Sequence, residues 1–431
     1  MTDPRDLIAK SPMSTRQVLV VAITIALNAL DGFDVLSISF ASPGIAEEWG
    51  IGRDALGIVL SMELIGMAIG SILLGGVADK IGRRPTILGC LVVMAAGMFM
   101  ATTVSGLVDL SLWRIVTGLG IGGMLASINA VAAEFSNARR RHLSVSLMSI
   151  GYPLGAVFGG MVAQQLLVGN DWRSVFYFGA GVTLAMIPVV YFVVPESVHW
   201  LARTQPVGAL EQINRAMARM GHAATSAMPV VAAQRSKGSL AALFTPELRR
   251  TTVIVTLAYF FHITTFYFIL KWIPKIVVDF GFEASSAAGV LVWTNVGGAL
   301  GGAIFGVLTQ RYRVQALTII VLLLSTVMVA LFGRSAPDLQ QLSMISAAAG
   351  FCANAGIVGL YALIAQVFPT HARASGTGFT IGVGRGGSVL APILAGFMFT
   401  AGFLLPTVAL LLGLGSLFAA VALWMLKVET R

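Results

Sequence analysis

Long apolar stretches recur along nearly the whole chain, and they restrict its fold more than any other feature of the sequence. A bilayer core about 30 Å thick is crossed by a helix of roughly 20 apolar residues. Stretches of that length lie near residues 17–40, 54–76, 85–104, 109–133, 143–167, 173–194, 250–273, 285–308, 315–332, 340–366, 374–399 and 404–426. Only 11% of the residues are charged, against about 25% in soluble domains. Lipid offers no hydrogen-bond partners to an open sheet, and the alternation of barrel strands is absent, so we predict an all-α integral membrane protein with twelve transmembrane helices.

Basic residues are distributed unevenly between the two sides of these spans. With the N-terminus inside, most of the 28 lysines and arginines fall in cytoplasmic segments. The residues expected outside are Arg53, Arg173, Lys271, Lys275 and Arg334. By the positive-inside rule we predict a multi-pass protein of the bacterial inner membrane with both termini in the cytoplasm. The net charge of +9 therefore reflects topology, and no nucleic-acid partner is expected.

One long polar connection separates the first six spans from the last six. Phe135 and Arg140 in the first half align with Phe368 and Arg373 in the second, so the halves are predicted to be repeats. In transporters built from repeats, the substrate site lies between the halves near the middle of the membrane. We therefore expect an N-terminal six-helix bundle at 1–194, a cytoplasmic central loop at 195–249 and a C-terminal six-helix bundle at 250–431.

The loop between the second and third spans reads GGVADKIGRRP, from Gly75 to Pro85. It closely resembles the signature loop of the major facilitator superfamily, and it lies where that family carries the loop. The resemblance implies two pseudo-symmetric bundles that transport by alternating access. It also implies a gate that closes one state, with the gating residues Gly75, Asp79, Gly82, Arg83, Arg84, Glu134 and Arg373. The alternative is a basic loop that only sets topology.

Two further motifs are similar to those of the aromatic acid:proton symporter family within that superfamily. The first span carries AspGlyPheAsp from Asp31 to Asp34, and the eleventh carries GlyArgGlyGly around Arg385. In the fifth span, Ala156 stands where the antiporter signature has proline, which favours symport. The resemblance implies proton-coupled uptake of a benzoate- or hydroxybenzoate-like carboxylate by a functional monomer in membrane lipid. The proton is then the coupling ion, and no cofactor is expected.

Other activities remain open within the same fold. One alternative is a transporter of another organic anion, such as a muconate-type dicarboxylate or a sugar acid. The other alternative is an efflux antiporter. An enzyme is not expected, because the five histidines are scattered without an HExxH motif and no GxxxxGK[ST] loop for ATP is present. Cys90 and Cys352 lie in separate apolar spans without metal-ligand spacing, so no metal site is predicted.

Asp31 and Asp34 are three residues apart and therefore share a helix face, with Asn28 one turn away. Two adjacent carboxylates in a partly dry site repel each other, so one of them is expected to take up and release a proton near neutral pH. We predict that this pair carries the coupling proton. The alternative is a hydrogen-bonded pair that closes the external gate.

Two arginines fall within the spans. Arg385 lies about 18 Å along a helix from Arg373, which brings it to the middle of the membrane. Its planar guanidinium matches both oxygens of a carboxylate, so we predict that it binds the substrate carboxylate, with a structural ion pair as the alternative. Arg114 lies nearer the external end of the fourth span. It is predicted to be a gating partner of Asp31 or Asp34, with substrate contact as the alternative.

The remaining substrate contacts are predicted from aromatic and polar side chains within the spans. Aromatic rings can sandwich a benzoate-like ring, and amides can hydrogen-bond its substituents. The candidates are Asn129, Tyr152, His262, Phe266, Tyr267, Trp293, Asn295, Asn354 and Tyr361. Each has a packing role as its alternative. Glu63 is an isolated carboxylate in the second span, and its role is left open. It is either a second proton site or a structural residue.

Overall fold

The computed structural model describes residues 3–228, 240–369 and 372–426, and within them every regular element is helical. The helices are α1 (Pro4–Lys10), α2 (Thr15–Trp49), α3 (Arg53–Ile81), α4 (Arg83–Met100), α5 (Leu107–Glu134), α6 (Arg141–Leu166), α7 (Arg173–Val193), α8 (Val198–Thr204), α9 (Ala209–Arg219), α10 (Arg249–Asp279), α11 (Ala284–Leu308), α12 (Val314–Phe332), α13 (Leu339–Val367), α14 (Arg373–Thr400) and α15 (Leu405–Trp424). A short 3-10 helix covers Leu240–Phe244.

Twelve of these helices are long and apolar enough to cross a membrane, which confirms the predicted fold class. They are all the helices except the short α1, α8 and α9. Several run beyond the predicted ends, because a helix continues after its apolar stretch. The consequence is largest for Lys271, which was expected outside. That expectation is wrong: α10 continues through Pro274 to Asp279, and the Lys271 side chain is fully buried.

The described chain forms two compact units that do not follow chain order. The first contains Met1–Val35, Ile65–Ala156 and Phe176–Gln234, and the second contains Leu36–Leu64, Val157–Val175 and Arg235–Arg431. Helices α2, α3, α6 and α7 therefore contribute to both units. The division into bundles at 1–194 and 250–431 stays a prediction.

Glycines set the helix packing inside the first unit. A Cβ on Gly66 of α3 would strike the carbonyl oxygen of Ile115 in α5, and a Cβ on Gly122 of α5 would strike that of Met67. Small residues at such positions let helix backbones approach closely in a membrane protein. This contact fixes α5, which carries Arg114, directly against α3.

Glycines also allow close helix packing inside the second unit, where α11 packs against α13. A Cβ on Gly297 would meet the Ala347 carbonyl, and one on Gly301 would meet the Phe351 carbonyl. Gly350 makes the reciprocal contact with the Thr294 carbonyl. Removing apolar surface from water does not drive helices together in lipid, so close van der Waals packing of this kind carries much of the stability.

Candidate transport site

The predicted acid pair lies in the interior of the first unit. The side chains of Asp31 and Asp34 are buried, with 2% and 0% of their residue surfaces exposed. Asn28, one turn earlier in α2, is also buried and donates from Nδ2 to the Met148 carbonyl of α6 at 2.7 Å. The three residues therefore face the protein and not lipid, as the helical spacing predicts.

Arg114 lies against this acidic face and is itself fully buried. Its Nη2 donates to the backbone carbonyl of Asp34 at 3.0 Å, and its Nη1 contacts Sδ of Met98 at 3.1 Å. The guanidinium carbon lies 5.2 Å from the ring centroid of Phe176, a cation–π distance. Arg114 therefore contacts α2 at the backbone of Asp34, and its role as a gating partner of Asp31 or Asp34 stays a prediction.

Gly32 explains why the acid pair can be enclosed. A Cβ at this position would overlap the backbone carbonyl of Tyr152 in α6. On the α7 side, a Cβ on Gly179 would lie 3.4 Å from Oδ1 of Asp34. Helices α6 and α7 therefore approach α2 so closely that water is largely excluded from its acidic face.

Arg385 is half-buried in α14 of the second unit, and glycines precede and follow it in the sequence. A Cβ on the preceding residue, Gly384, would strike the ring of Tyr259 in α10. The hydroxyls of Tyr259 and Tyr361 lie 3.1 Å apart, and their ring centroids are separated by 5.7 Å. The hydrogen-bonded tyrosine pair therefore packs against α14 at the residue directly before Arg385. Tyr259 was not among the predicted contacts, because only the packing of α14 against α10 distinguishes it from the other aromatic residues of its run.

The other predicted contacts are spread over both units. Phe266 and Tyr267 form an edge-to-face pair in α10 with ring centroids 5.4 Å apart. Asn354 donates to the Gly298 carbonyl at 2.7 Å and thereby ties α13 to α11. Asn129 donates to the Leu125 carbonyl of its own helix at 3.4 Å, and Asn295 donates to the Leu291 carbonyl of its own helix at 2.8 Å.

The three remaining aromatic candidates differ in exposure. Trp293 is 55% exposed, Tyr361 is 44% exposed, and Tyr152 is half-buried.

His262 has the environment of a packing residue. It is fully buried in the second unit. Its Nδ1 lies 2.9 Å from Oγ of Ser416, and its Nε2 lies 2.8 Å from the Ala353 carbonyl. Both ring nitrogens are therefore engaged with the protein. This geometry favours the hydrogen-bonded alternative over contact with substrate.

Glu63, which the sequence left open, forms an ion pair with Lys271. Their Oε2 and Nζ atoms are 3.7 Å apart, and both side chains have no exposed surface. The pair joins α3 to α10 inside the second unit. At the first residue of α3, Arg53 pairs with Asp279 at 2.8 Å, and this pair is much more exposed. Glu63 and Lys271 are distant in sequence, so only the tertiary packing could reveal them as partners.

The signature loop has the partners expected of a gate. Nη1 of Arg83 lies 2.8 Å from Asp79 Oδ1, and Nη2 lies 3.7 Å from Glu134 Oε1. Arg203 of α8 adds a second contact to Asp79 at 3.0 Å. Of the other residues assigned to the gate, Gly75 is near Ala126 in α5, and exposed Arg373 lies 3.4 Å from the Phe368 carbonyl.

Glu196 and Ser197 complete this cluster and were missed in the sequence. Glu196 accepts from the backbone N–H groups of Arg83 at 2.9 Å and Arg84 at 3.2 Å, so it caps the N-terminus of α4. Gly82 has a φ of 111° and lies so close to Glu196 that a side chain would clash. Burial raises the pKa of Glu196, although these backbone hydrogen bonds oppose the rise. Ser197 donates to Glu134.

A family comparison decides the identity of this fold. The model of the Major Facilitator Superfamily matches residues 24–335 and 255–431. The chain belongs to the Major Facilitator Superfamily. The crystal structure of a D-xylose-proton symporter has the same fold, with a TM-score of 0.74, 17% identity and coverage of 95% of this chain and 97% of that one. An inward-open structure of the Escherichia coli xylose transporter gives a TM-score of 0.73 at 17% identity, over 96% and 97% of the two chains.

Relatives that are similar over most of their length are transporters of aromatic acids. The gallate transporter of Pseudomonas putida is 28% identical over 98% of this chain and 94% of its own. The 4-hydroxybenzoate transporter of the same organism is 27% identical over 90% and 87% of the two chains. The 3-(3-hydroxy-phenyl)propionate transporter of Escherichia coli (strain K12) is 28% identical over 91% and 89%. These relatives are consistent with the aromatic acid:proton symporter family.

The family and its relatives confirm three predictions. The chain is a multi-pass membrane protein of the major facilitator superfamily. Like its relatives, it is a transporter and not an enzyme. Transporters of this kind need no cofactor.

Proposed function

We propose that this transporter imports a small aromatic carboxylate together with at least one proton by alternating access. The observation that carries the proposal is the arginine and tyrosine cluster of the second unit. There, Gly384, which directly precedes half-buried Arg385, packs on the ring of Tyr259, and Tyr259 is hydrogen-bonded to Tyr361. A guanidinium supplies two parallel donors for a carboxylate, and tyrosine rings supply an apolar face with a hydroxyl at its edge. Gallate and 4-hydroxybenzoate, which the relatives transport, offer matching groups.

Substrate binding is assigned in this proposal to Arg385 first. Tyr259 and Tyr361 contact the ring or its hydroxyl substituents, and Phe266 and Tyr267 extend the aromatic surface along α10. Tyr152, Trp293 and the asparagines 129, 295 and 354 remain candidate contacts. His262 is assigned to packing because both of its ring nitrogens are engaged within the protein.

Proton coupling is assigned to Asp31 and Asp34. Asp31 and Asp34 lie one helical turn apart in a buried site beside Arg114. Two carboxylates this close repel each other, so protonation of one of them relieves the repulsion. The two aspartates share one proton, and exposure of α2 to the opposite side of the membrane releases it.

The membrane potential gives proton coupling a direct advantage. Moving one negative charge inward against 100 mV, negative inside, costs about 2.3 kcal/mol. One co-transported proton cancels that cost. A second proton makes uptake electrophoretic, so the stoichiometry can be measured from the response to an imposed potential.

The signature loop is assigned to the gate on the cytoplasmic side. Asp79, Arg83 and Glu134 form a charge cluster that Arg203 and Glu196 extend. Breaking these contacts in one state and remaking them in the other gives two discrete arrangements, as a gate requires. We place both termini and this loop in the cytoplasm of a bacterial cell, with the monomer as the functional unit. The substrate then binds between the bundles 1–194 and 250–431.

Reconstitution into liposomes tests the proposal. Uptake of benzoate, 4-hydroxybenzoate, gallate and 3-(3-hydroxyphenyl)propionate is measured under an inward proton gradient, with muconate and glucuronate as non-aromatic controls. We expect gradient-driven uptake of at least one aromatic acid, and its loss in Arg385→Ala and Asp34→Asn. Uptake confined to muconate or glucuronate would contradict the aromatic substrate class. Gradient-driven efflux without uptake would contradict symport.

A further inference from the structure

A cavity of about 330 Å³ lies where the end of α7 meets the start of α4 and one face of α9. It belongs entirely to the first unit and is separate from the acid pair and from Arg385. It is lined by Arg84, Tyr191, Phe192, Pro195, Glu196, Gln212, Arg215, Ala216 and Arg219. Its volume falls within the usual range for small-molecule sites, about 300 to 1,000 Å³. Three arginines and one glutamate are among these lining residues.

The carboxylate does not neutralise these arginines. Both Glu196 oxygens accept backbone N–H groups at the start of α4. Burial also raises the pKa of Glu196, which further reduces its capacity to act as a counter-ion. The three arginines outnumber Glu196 and Glu211, the carboxylate that pairs with Arg215, so the cavity has an excess of positive charge.

Arg84 is held in place by Tyr191 and has a buried donor without an acceptor among the described residues. Its Nη2 donates to the Tyr191 carbonyl at 2.5 Å, and its guanidinium carbon lies 4.8 Å from the Tyr191 ring centroid. Its Nε is buried and has no hydrogen-bond acceptor among the residues that the structure describes. An unsatisfied buried donor on a charged group is costly, and an anion in the cavity would satisfy it.

Arg215 and Arg219 approach from one face of α9, because they are four residues apart. The opposite face of α9 is anchored by Ile213 and Met217, which are fully buried. Arg215 also pairs with Glu211 at 2.6 Å, and this contact orients its side chain along the helix. The two arginines are therefore supplied by a firmly packed helix and not by a loose loop.

We expect the edge of the cavity at the level of the membrane surface. Tyr191 and Phe192 end the span α7, and they are 54% and 71% exposed. Aromatic residues at span ends lie at the headgroup level of the bilayer. Basic pockets at this level suit anionic headgroups, whose phosphates accept bidentate bonds from arginine.

We propose that this cavity binds the phosphate group of an anionic lipid headgroup. Arg84, Arg215 and Arg219 hold the phosphate, and the acyl chains leave past Tyr191 and Phe192 into the bilayer. The lipid thereby ties α9 to the junction between α7 and α4.

Lipid titration of the full-length purified protein tests this site. Native mass spectrometry follows binding of dioctanoyl phosphatidylglycerol, with dioctanoyl phosphatidylcholine and inorganic phosphate in parallel. The double variant Arg215→Gln/Arg219→Gln should bind phosphatidylglycerol roughly 30-fold more weakly, since each arginine near the surface contributes about a fivefold factor. A matched control, Arg249→Gln/Arg250→Gln, removes two exposed arginines at the start of α10 and should retain wild-type binding. Arg215→Lys/Arg219→Lys, which keeps the charge, should lose less than the glutamine variant.

Each outcome decides the proposal. Weakening in the glutamine pair, with little change in the control, supports the site. Equal weakening in both pairs, or equal binding of phosphatidylcholine, overturns it. Inorganic phosphate that binds as tightly as phosphatidylglycerol and with the same sensitivity to the variants overturns the lipid as the source of the phosphate.

Discussion

The buried pair between Glu63 and Lys271 gives a prediction whose size follows from its geometry. At 3.7 Å, two unit charges attract each other by about 4 to 5 kcal/mol at an effective dielectric constant near 20. Both ions had to be desolvated to form the pair, and that cost offsets much of the attraction. The net contribution of the intact pair is therefore small, whereas removing one partner leaves a buried charge without its counter-ion.

A double-mutant cycle separates these terms. Glu63→Gln and Lys271→Met should each lower the free energy of unfolding by about 3 to 5 kcal/mol. The double variant should be more stable than either single variant, because neither position then carries a buried charge without its counter-ion. Unfolding by dodecyl sulfate in mixed micelles, followed by tryptophan fluorescence, measures all four proteins.

The exposed ion pair between Arg53 and Asp279, in the same unit, serves as the control for this cycle. Arg53 and Asp279 are 2.8 Å apart, but their side chains are 43% and 25% exposed. A pair in water-accessible surroundings couples by about 0.2 to 1 kcal/mol. The electrostatic reasoning is refuted if the effects of Glu63→Gln and Lys271→Met simply add. It is also refuted if Arg53 and Asp279 couple as strongly as Glu63 and Lys271.

Three further predictions concern the other clusters. Gly32→Val should prevent α6 from packing at the Tyr152 carbonyl and lower the yield of folded protein in size-exclusion chromatography, whereas a similar change at exposed Gly378 should not. Arg385→Lys keeps the charge but loses the planar fork, so KM for uptake should rise by roughly tenfold or more while the protein remains folded, and an unchanged KM would exclude carboxylate binding by Arg385. Burial raises the pKa of Glu196, so its protonation stabilises the fold below the unfolded value near 4.5, and this contribution is lost as the pH rises through the folded value. The apparent Tm of wild type relative to Glu196→Gln should therefore fall from pH 4 to pH 7, and a difference that grows with pH would contradict the raised pKa.

The fold was predictable because its strongest determinants are local. A span long enough to cross lipid is visible in the residues of one segment, and the signature loop from Gly75 to Arg84 has a fixed spacing. The shared face of Asp31 and Asp34 also follows from helical periodicity alone. Their burial in the structure agrees with that expectation.

Contacts between distant segments were not predictable from one sequence. Lys271 appeared to lie outside because the apolar stretch weakens near Pro274, yet α10 continues and buries it against Glu63. Tyr259 is distinguished from its aromatic neighbours only by the packing of Gly384 in α14. Glu196 caps α4 from a position more than one hundred residues away along the chain.

Proton entry that accompanies substrate uptake shows whether the transporter couples the two. Liposomes that contain the protein and an internal pH-sensitive dye receive the preferred aromatic acid outside, with the membrane potential clamped and no initial pH gradient. Protein-free liposomes give the background from passive entry of the neutral acid. We expect substrate-dependent acidification above that background in wild type and none in Asp34→Asn. Uptake of the acid by wild type without accompanying acidification would contradict coupling.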